Sequence, residues 1–109
     1  MIANKVKYVL ATLPPEQLCG GNVSSALGIS QSNMVKLLRK DGETFARLLE
    51  DERKARCLRL IQINKNSTAA LIAKHVGYRN RNNASLAFPR WFGVSLHDFK
   101  ADPSLVIGV

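Results

Sequence analysis

The chain has 109 residues, enough for one domain or for two very small subdomains that share a core. Its 16 Lys and Arg against 8 Asp and Glu give a net charge of +8, which favours an anionic partner, with nucleic acid ahead of an anionic membrane. No apolar run approaches the ~18 residues that span a bilayer, and a signal peptide is not apparent. Because the cations are spread over several helices rather than one amphipathic face, we expect a cytoplasmic protein with no membrane partner.

The sequence does not indicate a catalytic or metal site. Paired carboxylates, nucleophile motifs, phosphate-binding loops and metal-ligand spacings are all missing, so we expect no enzyme activity, no catalytic residue, no cofactor and no metal. Cys19 and Cys57 stand apart from each other and from any His cluster, so both are interpreted as reduced thiols in a packing role.

The residue pattern predicts an all-α chain, because alternating strand patterns are missing as well. The predicted segments before residue 44 are, in order, a helix over 2–13 ended by Pro14-Pro15, a loop over 16–21, a short apolar segment over 23–29, and a helix from Ser30 or Gln31 to Asp41-Gly42.

A long central helix is predicted over residues 44–64, which contain no Gly or Pro and are rich in helix formers. Thr44 is its expected N-cap, and at ~1.5 Å per residue the helix is ~30 Å long. One face is apolar, and most of the cations on the rest are expected to pair with Glu50, Asp51 and Glu52. These cations are Arg47, Lys54, Arg56 and Arg59.

The second half of the chain repeats the helical pattern. Its predicted segments are a helix from Ser67 or Thr68 to Gly77, a polar run over 79–83, a helix carrying Ala84, Phe88, Trp91 and Phe92, a short last helix near 95–99, and an apolar tail over 103–109 that packs or frays. Pro89 lies inside the third of these segments, and a kink or an early helix stop is expected there.

Residues 23–29 and 72–78 match position by position at an offset of 49. Each segment has a β-branched core residue, a small residue, two variable positions, an aliphatic residue, Gly and a large apolar residue. A Gly that follows an aliphatic residue at a helix end adopts the left-handed conformation and turns the chain sharply. Two short helices joined by such a turn form a helix-turn-helix unit, whose second helix enters the DNA major groove. After the turn the offset is 50, so the second copy has one extra residue.

The two presumptive reading helices begin at Gln31 and near Arg81. Their outward side chains are rich in Arg, Asn, Gln and Lys, which bond base edges or phosphates. A rigid spacer of ~30 Å is close to one ~34 Å turn of B-DNA, so one chain would enter two successive major-groove segments.

At this point the sequence resembles the DNA-binding domain of the AraC/XylS family of bacterial transcription regulators, from about Val6 to Lys100. The motifs that carry the resemblance are residues 23–30 with Met34 and Leu38, Thr44-Phe45, Leu48-Leu49, Arg53, Leu60-Ile61, Ile72-Ala73, Val76-Gly77-Tyr78, Phe88, Trp91-Phe92-Gly93 and Phe99-Lys100. The resemblance implies two helix-turn-helix subdomains joined by a linker helix. It also implies regulation of promoters as activator or repressor, contact with RNA polymerase, and in many members a separate N-terminal effector or dimerisation region outside this chain.

The resemblance places base-reading positions on Ser32, Val35 and Lys36, and on Arg81, Asn82, Ser85 and Leu86, and it gives Arg53 a structural role. The sequence departs from the family pattern at Cys19-Gly20, Asn83-Ala84, Pro89 and Ser95-Leu96. These departures make a short or loose first helix in unit one, and they make the second unit the less certain DNA reader.

The sequence therefore predicts a sequence-specific regulator that binds double-stranded DNA. Its expected divisions are a first helix-turn-helix subdomain over 1–43, a linker helix over 44–64, a second helix-turn-helix subdomain over 65–101 and a tail over 102–109. The expected DNA-contacting residues are Gln31, Ser32, Asn33, Val35, Lys36, Arg39 and Lys40 in the first subdomain and Arg79, Arg81, Asn82, Asn83, Ser85, Leu86 and Arg90 in the second.

Two other interpretations stay open at this stage. The first is a protein-interaction module of the same fold, with a weakened second reading unit, that acts through RNA polymerase or a regulatory partner protein. The second is a basic helical RNA-binding protein, which the lack of exposed aromatic residues disfavours.

Overall fold

The computed structural model describes all residues from 1 to 109 and is entirely helical, which confirms the predicted all-α class. The helices are α1 (Ile2–Thr12), α2 (Gly20–Ala26), α3 (Gln31–Lys40), α4 (Phe45–Ile63), α5 (Ala69–Val76), α6 (Arg81–Phe92) and α7 (Leu96–Ala101), with short 3-10 turns at Pro15–Gln17 and Pro103–Leu105. None of these helices combines the length and the apolar content that crossing a bilayer requires.

The chain forms two compact units, Met1–Arg53 and Lys54–Val109, which divide within α4. Each unit has its own apolar core. The first core contains Val6, Leu10, Val23, Met34, Leu38 and Leu48, and the second contains Cys57, Ile61, Ile72, Val76, Phe88 and Phe99. The finer division into reading subdomains, linker and tail stays a prediction.

In the first unit, α1 ends where the sequence predicts, since Leu13 is already extended before Pro14-Pro15. The expected loop over 16–21 is wrong in part, because α2 begins at Gly20. A Cβ added to Gly20 would lie 2.8 Å from Nε2 of Gln31, so this glycine allows the helix to start close to that side chain. The intrinsic preference of glycine against helix is therefore overridden by packing.

The central helix has the expected cap, because Oγ1 of Thr44 accepts a hydrogen bond from the amide of Arg47 at 3.2 Å. One expectation about its surface is wrong: Arg56 is only 8% exposed, whereas Arg59 is exposed. Burial of an arginine is possible because its long stem is apolar. Arg53, for which a structural role is expected, is half-buried.

In the second unit, Thr68 rather than Ser67 caps α5, accepting from the amide of Leu71 at 3.1 Å. The apolar tail packs on this unit: Val106 is buried, and Nε2 of Gln62 donates to the carbonyl of Gly108 at 2.6 Å.

The early helix stop expected at Pro89 is wrong, because α6 continues to Phe92. Residues on both sides of the proline hold the helix in place: Phe88 is fully buried and Trp91 is 7% exposed. The carbonyl of Ser85, which loses its helical donor at Pro89, belongs to an exposed residue where water can hydrate it. Packing of the apolar face therefore outweighs the missing hydrogen bond.

Candidate nucleic-acid interface

The two predicted turns have the same backbone geometry. Gly28 and Gly77 have φ values of 71° and 91°, both in the left-handed region. The amide of the residue after each glycine bonds back to the carbonyl five residues earlier, at 3.1 Å for Ile29 to Ser24 and at 2.9 Å for Tyr78 to Ala73. This closing bond is the signature of a glycine-terminated helix, so α2 and α5 end in the same way.

The core positions of the two turns also correspond. Val23 and Ile72 are both fully buried, and Ser24 and Ala73 are 4% and 3% exposed. The hydroxyl of Ser24 donates to the carbonyl of Gly21 at 3.2 Å, so its polar group is satisfied inside the helix. Small residues at this position let the next helix pack closely in both units.

Each turn leads into a helix with a side-chain cap. Oγ of Ser30 accepts from the amide of Asn33 at 3.1 Å and starts α3, while Oδ1 of Asn80 accepts from the amide of Asn83 at 3.1 Å and starts α6. The caps are 50 residues apart and the turn glycines 49, which confirms the one extra residue in the second turn. Residue positions on the two helices can therefore be compared by adding 50.

On α3, four of the predicted contact residues form one exposed line. They recur at i, i+3, i+4 and i+7, the spacing of a single helix face, and we call them the α3 stripe: Ser32, Val35, Lys36 and Arg39. The opposite face carries Met34 and Leu38, which are 1% and 0% exposed. The buried face thus fixes which side chains α3 presents to solvent.

The corresponding line on α6 is also exposed, and we call it the α6 stripe: Asn82, Ser85, Leu86 and Pro89. The buried face of α6 is formed by Ala84, Ala87, Phe88 and Trp91. Pro89 was not among the predicted contact residues, although its spacing of four residues from Ser85 and three from Leu86 is the signal that places it on this line.

The remaining predicted contact residues are all exposed, beside the start or the end of α3 and α6: Gln31, Asn33, Lys40, Arg79, Arg81, Asn83 and Arg90. Arg90 has partners within its own unit. One of its terminal nitrogens donates to the hydroxyl of Tyr78 at 3.4 Å, and its guanidinium lies 6.0 Å from the centre of the Trp91 ring. That ring in turn stacks on Tyr78, with centroids 6.2 Å apart.

The chemistry available elsewhere in the chain is limited. No group of three His, Cys, Asp or Glu lies together in a way that would hold a metal ion. Burial raises the pKa of Cys57 to about 12, so this thiol is not a nucleophile at neutral pH. Cys19 is exposed, and its expected packing role is therefore wrong.

No family model matches the sequence, and no curated protein sequence matches it at a significant level. Solved structures do match. One is the crystal structure of a DNA-binding transcriptional dual regulator from Escherichia coli K-12, with a TM-score of 0.81 and 21% identity over 94% of this chain and 92% of that one. Another is the C-terminal domain of AraT, a response regulator from Geobacillus stearothermophilus, with a TM-score of 0.77 and 22% identity over 92% and 84%. This chain shares the fold of these regulator domains.

Proposed function

We propose that this protein is a sequence-specific double-stranded DNA-binding transcription regulator of the AraC/XylS type. The observation that carries the proposal is the duplicated reading unit: a glycine-terminated helix, a turn, and a capped helix with an exposed stripe, present twice in a chain of net charge +8. The likeness in fold to a DNA-binding transcriptional regulator supports it, as does the AraC/XylS resemblance of the sequence motifs. In a bacterial cytoplasm such a regulator would also meet RNA polymerase.

Phosphate contacts would supply most of the affinity. Arg39 and Lys40 are exposed in the last turn of α3, and Arg79 and Arg81 are exposed around the start of α6. Cations in these positions fix the register of a reading helix on the duplex without reading its sequence. Their binding releases condensed counterions, so the affinity would fall steeply with salt.

Base contacts would supply the discrimination. Lys36 on the α3 stripe has the donor group that favours the O6 and N7 acceptors of guanine, and Asn82 on the α6 stripe has the amide that pairs with N6 and N7 of adenine. Ser32 and Ser85 carry hydroxyls that bond to either kind of base edge. Each side chain is exposed and lies on a helix whose other face is fixed in a core.

Insertion into two successive major-groove segments is also part of the proposal. The 19 residues of α4 correspond to a helix of about 28 Å, which is comparable with one ~34 Å turn of B-DNA. Footprinting on genomic DNA fragments, followed by selection from random duplexes, tests this directly. We expect two protected segments about one turn apart on one face; a single protected segment would argue against two-groove insertion.

A gel-shift titration of the selected duplex tests the function as a whole. We expect binding that resists random competitor DNA and weakens with a steep dependence on salt concentration. If the selected duplex and the competitor bind equally, the protein is not a sequence-specific regulator.

One observation favours a second candidate function. The α6 stripe contains no charged side chain and includes Pro89, which suits a protein-interaction module whose second unit binds RNA polymerase or a regulatory partner protein. In that case selection would yield only a half-site for the first unit, and substitutions on α6 would impair transcription without changing DNA affinity.

A further inference from the structure

The two stripes differ in chemistry although they occupy equivalent positions. At an offset of 50, Lys36 corresponds to Leu86 and Arg39 corresponds to Pro89, so both cations of the α3 stripe are replaced by apolar side chains on the α6 stripe. The one basic residue of the last turn of α6, Arg90, is engaged with Tyr78 and lies near the ring of Trp91.

The side chain of Leu86 protrudes into solvent. It is 71% exposed, whereas Val35 on the α3 stripe is 45% exposed. Its neighbours on the stripe, Ser85 and Pro89, are exposed as well, so nothing in the fold uses this aliphatic group. A single exposed leucine is ordinary on a protein surface, but here it lies in the middle of a helix face that the proposed function directs into the major groove.

The major groove offers such a side chain one apolar partner. Base edges there present hydrogen-bond donors and acceptors, except for the 5-methyl group of thymine. An aliphatic group near any other base edge would displace water without replacing its hydrogen bonds. The chemistry of Leu86 therefore selects thymine.

We propose that Leu86 is a specificity-determining residue that reads the 5-methyl group of a thymine, with Pro89 extending the apolar surface on the same stripe. The inference rests on the proposed DNA-binding function. It assigns different reading modes to the two units: the first discriminates mainly through the donors of Lys36 and its neighbours, and the second through contact with a methyl group beside the amide of Asn82.

The test replaces thymine by deoxyuridine, which removes only the 5-methyl group. In the selected duplex, each thymine is replaced in turn, and the affinity of the whole chain is measured by fluorescence anisotropy for the native protein and for Leu86→Ala. We expect one replacement, in the segment protected by α6, to weaken native binding about fourfold, which is the value of burying one methyl group. Leu86→Ala should bind the thymine and deoxyuridine duplexes equally.

Val35→Ala is the matched control, because it removes aliphatic atoms from the other stripe and should leave the sensitivity at the α6 segment unchanged. Circular dichroism confirms that each variant stays folded, as expected for exposed positions. If a specific duplex binds but no deoxyuridine replacement matters, or if Leu86→Ala keeps the full sensitivity, the methyl-reading role is wrong while the proposed function stands. If no duplex binds specifically, both are wrong.

Discussion

The carboxylate of Asp41 accepts a hydrogen bond from the backbone amide of Ala3 at 2.9 Å. Asp41 follows the last residue of α3, whereas Ala3 lies in the first turn of α1, so a residue 38 positions away caps the first helix. Amides in the first turn of a helix lack intrahelical partners and carry partial positive charge, so a carboxylate there is favourable. This bond ties the start of α1 to the end of the first reading helix.

We expect Asp41→Ala to lower the free energy of unfolding by about 0.5–2 kcal/mol, the usual effect of losing a helix cap. Asp41→Asn keeps an acceptor oxygen and should lose less. Urea unfolding followed by circular dichroism measures both. Equal losses for the two variants would mean that the acceptor at position 41 does not matter.

The turn of the first unit gives a second prediction, since Gly28 has a φ of 71° and a Cβ added there would meet nothing within 4 Å. Gly28→Ala therefore carries a purely conformational penalty, and we expect a loss of stability of about 1–2 kcal/mol. Asn tolerates this region better, so Gly28→Asn should lose less.

Gly21→Ala is the control with the opposite sign. Gly21 lies inside α2, and an added Cβ would be 3.7 Å from Nε2 of Gln31, an ordinary contact. Alanine is the better helix former, so this change should raise stability by about 0.5–1 kcal/mol. Thermal unfolding of both variants gives the comparison, and a gain in stability for Gly28→Ala would contradict the left-handed turn.

The reading units were predictable because their signals are local. Ser30 and Asn80 satisfy amides three residues along, Gly28 and Gly77 need only the left-handed conformation, and Met34 shows the buried face by its spacing. Each feature depends on a few neighbouring residues, so the sequence alone is sufficient to place it. The exposed faces of α3 and α6 follow from the same periodicity.

The features that sequence reasoning missed depend on distant residues. The start of α2 at Gly20 depends on the side chain of Gln31, and the bond of Asp41 to Ala3 joins opposite ends of the first unit. The burial of Arg56 is likewise a consequence of packing in three dimensions, and residue type alone places arginine outside. Local propensity could not have predicted any of these three features.

The continuation of α6 past Pro89 leads to a third prediction. Phe88 contacts aromatic rings on two sides, with centroids 4.8 Å from Phe92 and 5.5 Å from Phe99, and this packing holds the helix despite the proline. Pro89→Ala restores an amide that can donate to the carbonyl of Ser85, so we expect the free energy of unfolding to rise by about 1–3 kcal/mol. Chemical denaturation checks this, and a marked loss of stability would show that the proline ring itself packs in the structure.

A fourth prediction concerns Lys36, which lies exposed on the α3 stripe. If it contacts a base, Lys36→Ala should weaken binding to the selected duplex by about 1–3 kcal/mol and relax the preference at one base pair. Lys65→Ala makes the same change of charge in the turn after α4 and should leave the base preference unaltered. Gel-shift titrations against single-base variants of the duplex separate the two. An unchanged affinity for Lys36→Ala would remove this residue from the interface.

The two cysteines give the last prediction, because Cys19 is exposed and Cys57 is fully buried. A thiol-specific reagent at pH 8 should label one cysteine per native chain and two per unfolded chain. Burial raises the pKa of Cys57 from 9.0 to about 12, so in the unfolded chain this thiol ionises from about pH 9 while in the folded chain it stays protonated. The stability that it contributes is therefore fully present below pH 9 and is lost as the pH rises from 9 towards 12. Cys57→Ala should show a shallower decline in stability over that range than the native chain; equal slopes would mean that the thiol ionises as readily in the core as in water.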